Sequence, residues 1–218
     1  MQITAELLRA ALASDQRPLA DLAHGPIDVS RARAAGVVIP IALLPEPRVY
    51  LMVRGAELKD HADEVCFPGG KPEPHDVDLR ATAARELEEE VAIRRDELEW
   101  VGELSPCPVI TGRYLIHPFV AVLREGAIPR PASGEVARIV SLPLIPLLTG
   151  ELPTFAVQRL WDGILVTTPH FPVEGSVLYG ASAYIFYELL AKLALELKRE
   201  LPAFHFQDAP PWGTRYAK

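Results

Sequence analysis

Cysteine is nearly absent: Cys66 and Cys107 are the only two in 218 residues, too few to frame a disulfide scaffold. Each flanks a proline-containing apolar turn and reads as a packed thiol, not a nucleophile. Long apolar runs are missing as well. The stretch from Val177 to Tyr187 is too short to span a bilayer before Glu188 interrupts it. Met1 to Ala13 has no basic start followed by a long apolar segment, so no signal peptide is expected. There is no basic patch; 22 Lys and Arg face 29 Asp and Glu, a net charge of −7 that argues against binding a nucleic-acid backbone. Repeats and low-complexity tracts are also lacking. These absences lead us to expect a soluble, cytoplasmic protein with neither membrane nor nucleic-acid partners. A phosphate-bearing small molecule would need a metal or a few placed cations to offset the charge.

A hydrophobic content of 49% with 23% charged residues is that of a globular chain with a real core. The length suits one domain over residues 1–218, with an N-terminal helical extension to about 33, a core from about 34 to 175, and a C-terminal helix and tail from about 176. Apolar residues at helical spacing predict a helix from about Thr4 to Ser14. Arg17 to Arg33 reads as connecting structure. Strands are predicted at Gly36–Leu44, Arg48–Arg54, Glu99–Ser105, Leu115–Leu123 and Glu135–Leu142, with a shorter pair around Phe155–Leu160 and Ile164–Thr168. Leu144 to Thr149 reads as a helical turn. A last long helix opens at Val177–Ala183 and runs to about Glu200, with Glu188 and Lys192 as an i,i+4 pair. The 21 prolines sit mostly between these elements.

The informative stretch is Phe67 to Ile93. A Phe67-Pro68-Gly69-Gly70-Lys71 turn, whose glycines let a backbone approach a ligand, leads through an acidic loop into a helix from Leu79. Asp76 or Asp78 can cap that helix. Ala84, Leu87 and Val91 form an apolar stripe on it, and Glu86, Glu89 and Glu90 stand together on another face. Like charges at these spacings repel. Either the run is simply a solvated helix face, or a divalent cation belongs among the carboxylates.

Gly69-Gly70, a spacer and Arg85-Glu86-Leu87-Glu88-Glu89-Glu90-Val91-Ala92-Ile93 resemble the signature of the Nudix hydrolases. Asp76 is the early carboxylate in place of a glutamate. The spacer is one residue longer than usual, and Ala92 replaces a usual glycine. If that position is left-handed, alanine costs on the order of 1 kcal/mol; otherwise the helix runs on. Leu51-Met52-Val53-Arg54, Leu58 to Gly70, Ile116-His117-Pro118-Phe119-Val120 and the helix start at Tyr179-Gly180-Ala181-Ser182-Ala183 look like the coenzyme A pyrophosphatase branch. In the extended motif, Lys59, Asp63 and Glu64 depart from an expected arginine, glycine and glutamine. Altogether the resemblance covers about residues 36–195.

What the resemblance implies is an α/β (α+β) fold, an α/β/α sandwich with a mixed central sheet. It further implies hydrolysis of a diphosphate joined to another group, with Mg²⁺ or Mn²⁺ held by Glu86, Glu89, Glu90 and the Gly69 carbonyl. Arg85 would pair with a box glutamate and fix its rotamer. Glu89 or Glu90 is the expected general base, with Glu174 a weaker candidate; His61 and His117 read as packed or surface histidines. Arg54, Lys59, Gly70 and Arg113 are the expected substrate contacts, each cation having an exposed-side-chain reading beside it. The leading activity is cleavage of coenzyme A or acyl-coenzyme A into 3′,5′-ADP and a phosphopantetheine fragment. Alternatives are an ADP-ribose or other nucleoside diphosphate hydrolase and a non-catalytic ligand-binding module. Many relatives are dimers, and the apolar terminal helices offer a homodimer interface.

Overall fold

The computed structural model describes residues 1–14, 27–161 and 163–213. Most of the Arg17–Arg33 connection therefore lies outside the described residues. In chain order the elements are α1 (Ala5–Ala13), β1 (Arg33–Ala42), β2 (Arg48–Arg54), β3 (Val65–Cys66), β4 (Gly69–Gly70), α2 (Leu79–Val91), β5 (Leu98–Glu103), β6 (Cys107–Pro108), β7 (Tyr114–Leu123), β8 (Val136–Pro143), α3 (Leu144–Thr149), β9 (Phe155–Trp161), β10 (Ile164–Val173), β11 (Ser176–Leu178), α4 (Gly180–Glu196) and β12 (His205–Phe206).

The main sheet is mixed. β1 runs parallel to β7 from Arg33↔Tyr114 to Ile41↔Val122, while β2, β4, β5, β6 and β8 join antiparallel. Alternation along the strands builds two cores. Ile39 and Ile41 of β1, Leu51 and Val53 of β2, and Val120 and Val122 of β7 meet Leu8 and Leu12 of α1 and Phe186, Leu189 and Leu193 of α4. The intervening Val38, Met52, Ala121 and Leu123 face the other way and meet Ala83, Leu87 and Val91 of α2. The sheet is thus packed between helices on both faces, an α/β/α arrangement. A second sheet, in the order β11-β10-β9-β12, holds the segments before and after α4.

α2 forms where the sequence places it. Asp78, not Asp76, caps it: its Oδ1 accepts the Ala81 N–H at 2.7 Å. The helix stops at Val91 because Ala92 turns left-handed at φ 57°, ψ 32°, its N–H donating to the Glu88 carbonyl. The helix therefore does not run on. The last long helix is shorter than predicted at both ends. Val177 pairs with Pro172 in β11–β10, and the chain enters α4 through Gly180 at φ 64°. Lys198, at φ 54°, ends it before Glu200. Glu188 and Lys192 are both buried, and each turns to a distant partner. Glu188 accepts from Ser105 N–H and Oγ, and Lys192 Nζ donates to the Ser14 carbonyl at 2.8 Å.

A left-handed alanine is strained relative to glycine. Ala92→Gly should raise the stability of the chain by about 1 kcal/mol, seen as a higher denaturation midpoint at unchanged slope in urea.

Candidate active site

The site grows from the join between β4 and α2. Gly69 pairs with Val37 of β1 at φ 154°, and a Cβ there would strike the Gly36 carbonyl. At Gly70 a Cβ would collide with the Glu86 carboxylate. Only glycine lets this strand lie between β1 and α2 with a carboxylate against its backbone.

Glu90, one helical turn beyond Glu86, closes the other side. Its Oε2 accepts the Gly69 N–H at 2.9 Å, and the residue is only 6% exposed. Burial, with repulsion from Glu86 and Glu135 against relief from the Gly69 N–H and Arg54, lifts its carboxyl from the ordinary 4.5 to about 7. Burial also raises Glu86, against the pull of Arg85. Glu89 is the outward member of the three, more than half exposed, and its Oε2 accepts from Arg85 Nη1 at 3.1 Å.

Arg85 is the hub of the cluster. Its Nε and Nη2 donate to the two oxygens of Asp76 at 3.3 and 3.1 Å, a fork-to-fork pair. Its Nη1 lies 3.1 Å from Glu86 Oε1, and Nη2 also donates to the Lys71 carbonyl at 3.2 Å. Thr82 Oγ1 donates to Asp76 Oδ2 at 3.0 Å, fixing the anchor in turn. The guanidinium, first through its hydrogen bonds, holds Asp76 far below the usual carboxylate range. Reading Asp76 as a capping candidate missed this partnership.

Arg54 comes close as well. Its charge acts on Glu90, its Nη2 lies 3.4 Å from Glu135 Oε2, and its Nε is buried with no hydrogen-bond partner among the described residues. Lys59 and Arg113 are not gathered here. Lys59 is exposed in the β2–β3 connection, and Arg113 precedes β7, its carbonyl accepting the Arg33 N–H. Glu174 is held elsewhere too, accepting from the Ser141 N–H at 3.0 Å. His61 Nδ1 lies 2.8 Å from Glu64 in the β2–β3 connection. Burial pushes the thiols of Cys66 and Cys107 to about 12, so neither is a nucleophile at neutral pH. A groove of about 500 Å³ between α1 and β5, lined by Arg9, Asp78, Trp100 and Phe119, contains none of these carboxylates.

Among the described residues, no three His, Cys, Asp or Glu side chains already form a finished metal cage. What is present is a donor set that suits a hard cation. A buried Glu90 at Gly69 and a partly buried Glu86 at Gly70 repel each other, and Glu89 stands on the next turn of the same helix.

Comparison with known proteins identifies the family. The NUDIX domain matches residues 32–157. A Nudix hydrolase NudL of Escherichia coli is 33% identical over 165 residues, 75% of this chain and 84% of that protein. Its counterpart in Photorhabdus laumondii is 40% identical over 117 residues, 54% of this chain and 62% of that protein. The structure of the MutT protein from Methanosarcina mazei Go1 aligns with a TM-score of 0.49 at 15% identity, covering 79% of this chain and all of that one. The chain belongs to the Nudix family, and its class is that of the Nudix hydrolases.

The raised Glu90 sets a pH signature. A carboxyl whose folded value lies above its unfolded one contributes stability fully below about pH 4.5 and loses it as the pH rises through about 7. In metal-free protein, Glu90→Gln keeps an acceptor for the Gly69 N–H without the charge. It should match wild type below pH 4.5 and exceed it by roughly 1–3 kcal/mol above pH 8, measured by denaturant unfolding in chelator.

Proposed function

We propose that this chain is a metal-dependent pyrophosphatase that hydrolyses the diphosphate of a nucleotide derivative, coenzyme A or an acyl-coenzyme A being the leading substrate. The observation that carries the reading is the buried Glu90 beside the partly buried Glu86, the two set against Gly69 and Gly70. A buried carboxylate beside a second, partly buried one costs stability unless a cation joins them, and a diphosphate is repelled by the pair without one.

Mg²⁺ or Mn²⁺ held by Glu86, Glu89, Glu90 and the Gly69 carbonyl would supply positive charge against the diphosphate and acidify water. The chain's own residues do the rest. Arg85, clamped by Asp76, sets the rotamer of Glu86 and restrains Glu89. Glu89 or Glu90 takes the proton from the attacking water. Arg54 donates to phosphate oxygens from its place beside Glu90. The Phe67-Pro68-Gly69-Gly70 turn, the Ile116-His117-Pro118-Phe119-Val120 strand and the α4 start support the coenzyme A reading.

A second reading keeps the chemistry and changes the substrate to ADP-ribose or another nucleoside diphosphate derivative. It is favoured by the β2–β3 connection, where Asp63 and Glu64 put carboxylates on the expected approach of a polyanion and both His61 and Asp63 adopt left-handed backbone. The homodimer expected from the terminal helices belongs with these proposals.

With Mg²⁺ or Mn²⁺ and a panel of coenzyme A, acyl-coenzyme A, ADP-ribose and dinucleoside polyphosphates, the chain should cleave coenzyme A to 3′,5′-ADP. Glu86→Gln and Glu90→Gln should each lower kcat by ~10²-fold or more. Turnover of ADP-ribose alone would move the assignment to the second reading, and no turnover of any substrate would leave a binding module. In the same assay Asp76→Asn, which frees Arg85, should lower kcat ~10-fold with little change in KM.

A further inference from the structure

Beyond the glycine turn lies a cationic corner that the carboxylate site does not use. Tyr114 opens β7 in register with Arg33, the first residue of β1. The Arg33 guanidinium lies over the Tyr114 ring at 5.0 Å, and Lys71 Nζ lies over the same ring at 5.6 Å. Arg113, next in the chain to Tyr114, is tied to this corner because its carbonyl accepts the Arg33 N–H at 3.0 Å.

Neither Arg33 nor Lys71 is paired with a carboxylate among the described residues, although the chain carries 29 acids against 22 bases. What sets these two apart from other surface cations is that they share one aromatic ring. A ring face orients cations without neutralising them, so their charge stays available to an anion. Their direction is also built in. Lys71 follows Gly70 directly, and its carbonyl is held by the same Arg85 that pairs with Glu86. Arg33 stands three residues before Gly36, the partner of Gly70, so the corner lies roughly 10 Å along β1 from the carboxylates at about 3.3 Å per residue. That separation suits a ligand with two anionic centres.

We propose that Arg33 and Lys71, gathered on Tyr114, form a subsite for a second phosphate group of the ligand, a phosphomonoester on its nucleotide half. The inference rests on the reading of Glu86 and Glu90 as the diphosphate site. It gives that site a preference among nucleotides, with bisphosphorylated nucleosides over those carrying a single phosphate position. Charge-assisted donation from one guanidinium and one ammonium is the recognition chemistry. The aromatic ring supplies the geometry.

The test is calorimetric binding of adenosine 3′,5′-bisphosphate and of 5′-AMP to the full chain in Mg²⁺ at physiological salt. The bisphosphate should bind at least tenfold more tightly to wild type. Arg33→Gln and Lys71→Gln should each cut that ratio at least threefold, the double variant should bring it near one, and 5′-AMP affinity should hardly change. Thermal unfolding confirms that these exposed substitutions leave the fold intact. Equal binding of the two nucleotides by wild type, or a preference that survives in the double variant, overturns the subsite. A preference that follows Arg33 and Lys71 in a chain that hydrolyses no diphosphate supports the subsite and removes the hydrolase reading instead, so the two failures are distinct.

Discussion

The Arg85 guanidinium holds the candidate site in one shape. It is almost enclosed, and enclosing a charge is costly unless its donors are met. Asp76 meets two of them, Glu86 and Glu89 share a third nitrogen, and the Lys71 carbonyl takes what remains. One side chain thereby links the acidic loop, the end of the glycine turn and two turns of α2. Everything else about the carboxylates depends on that linkage. With Glu89 drawn outward and Glu86 pressed against Gly70, Glu90 becomes the buried member, and its burial raises its hold on a proton.

The sheet makes such an arrangement affordable. α2 is fastened by Ala83, Leu87 and Val91 to one face of β1, β2 and β7, while α1 and α4 cover the other. A helix packed so firmly can present two repelling carboxylates without turning away from them. The repulsion is local, and on the proposed reading a cation placed among those oxygens would relieve it and bring a phosphate with it. The same rigid strands carry Arg33 and Tyr114 to a fixed distance from the carboxylates, so charge of both signs is laid out along one edge of β1.

Much of this was legible in the residues because it is local. The α2 helix, its apolar stripe, the glycines beside it and the strand pattern follow from periodicity and turn chemistry within short windows. What was missed is long-range or conformational. Asp76 reads as a helix cap, and only the fold shows Asp78 in that role while Asp76 grips Arg85. Arg54 meets Glu135 across 81 residues, and Arg33 meets Tyr114 through strand register; no short window contains either pair. Glu188 and Lys192 look like a surface i,i+4 pair, yet α4 is buried all round there and each needs its own partner. Val177 carries both helix-start and strand character, and pairing with β10 decided for the strand. Ala92 could have continued the helix, but the chain turns left-handed toward β5.

The central claim is that Glu86 and Glu90 await a cation, with Glu90 holding a proton that the cation must displace. Titration of Mn²⁺ into metal-free protein near pH 7, by calorimetry in two buffers of different ionisation enthalpy, measures both uptake and proton release. The account predicts saturable binding accompanied by release of a substantial fraction of a proton, with the release absent in Glu90→Gln. No ion uptake, or uptake with no proton released from wild type, would contradict it.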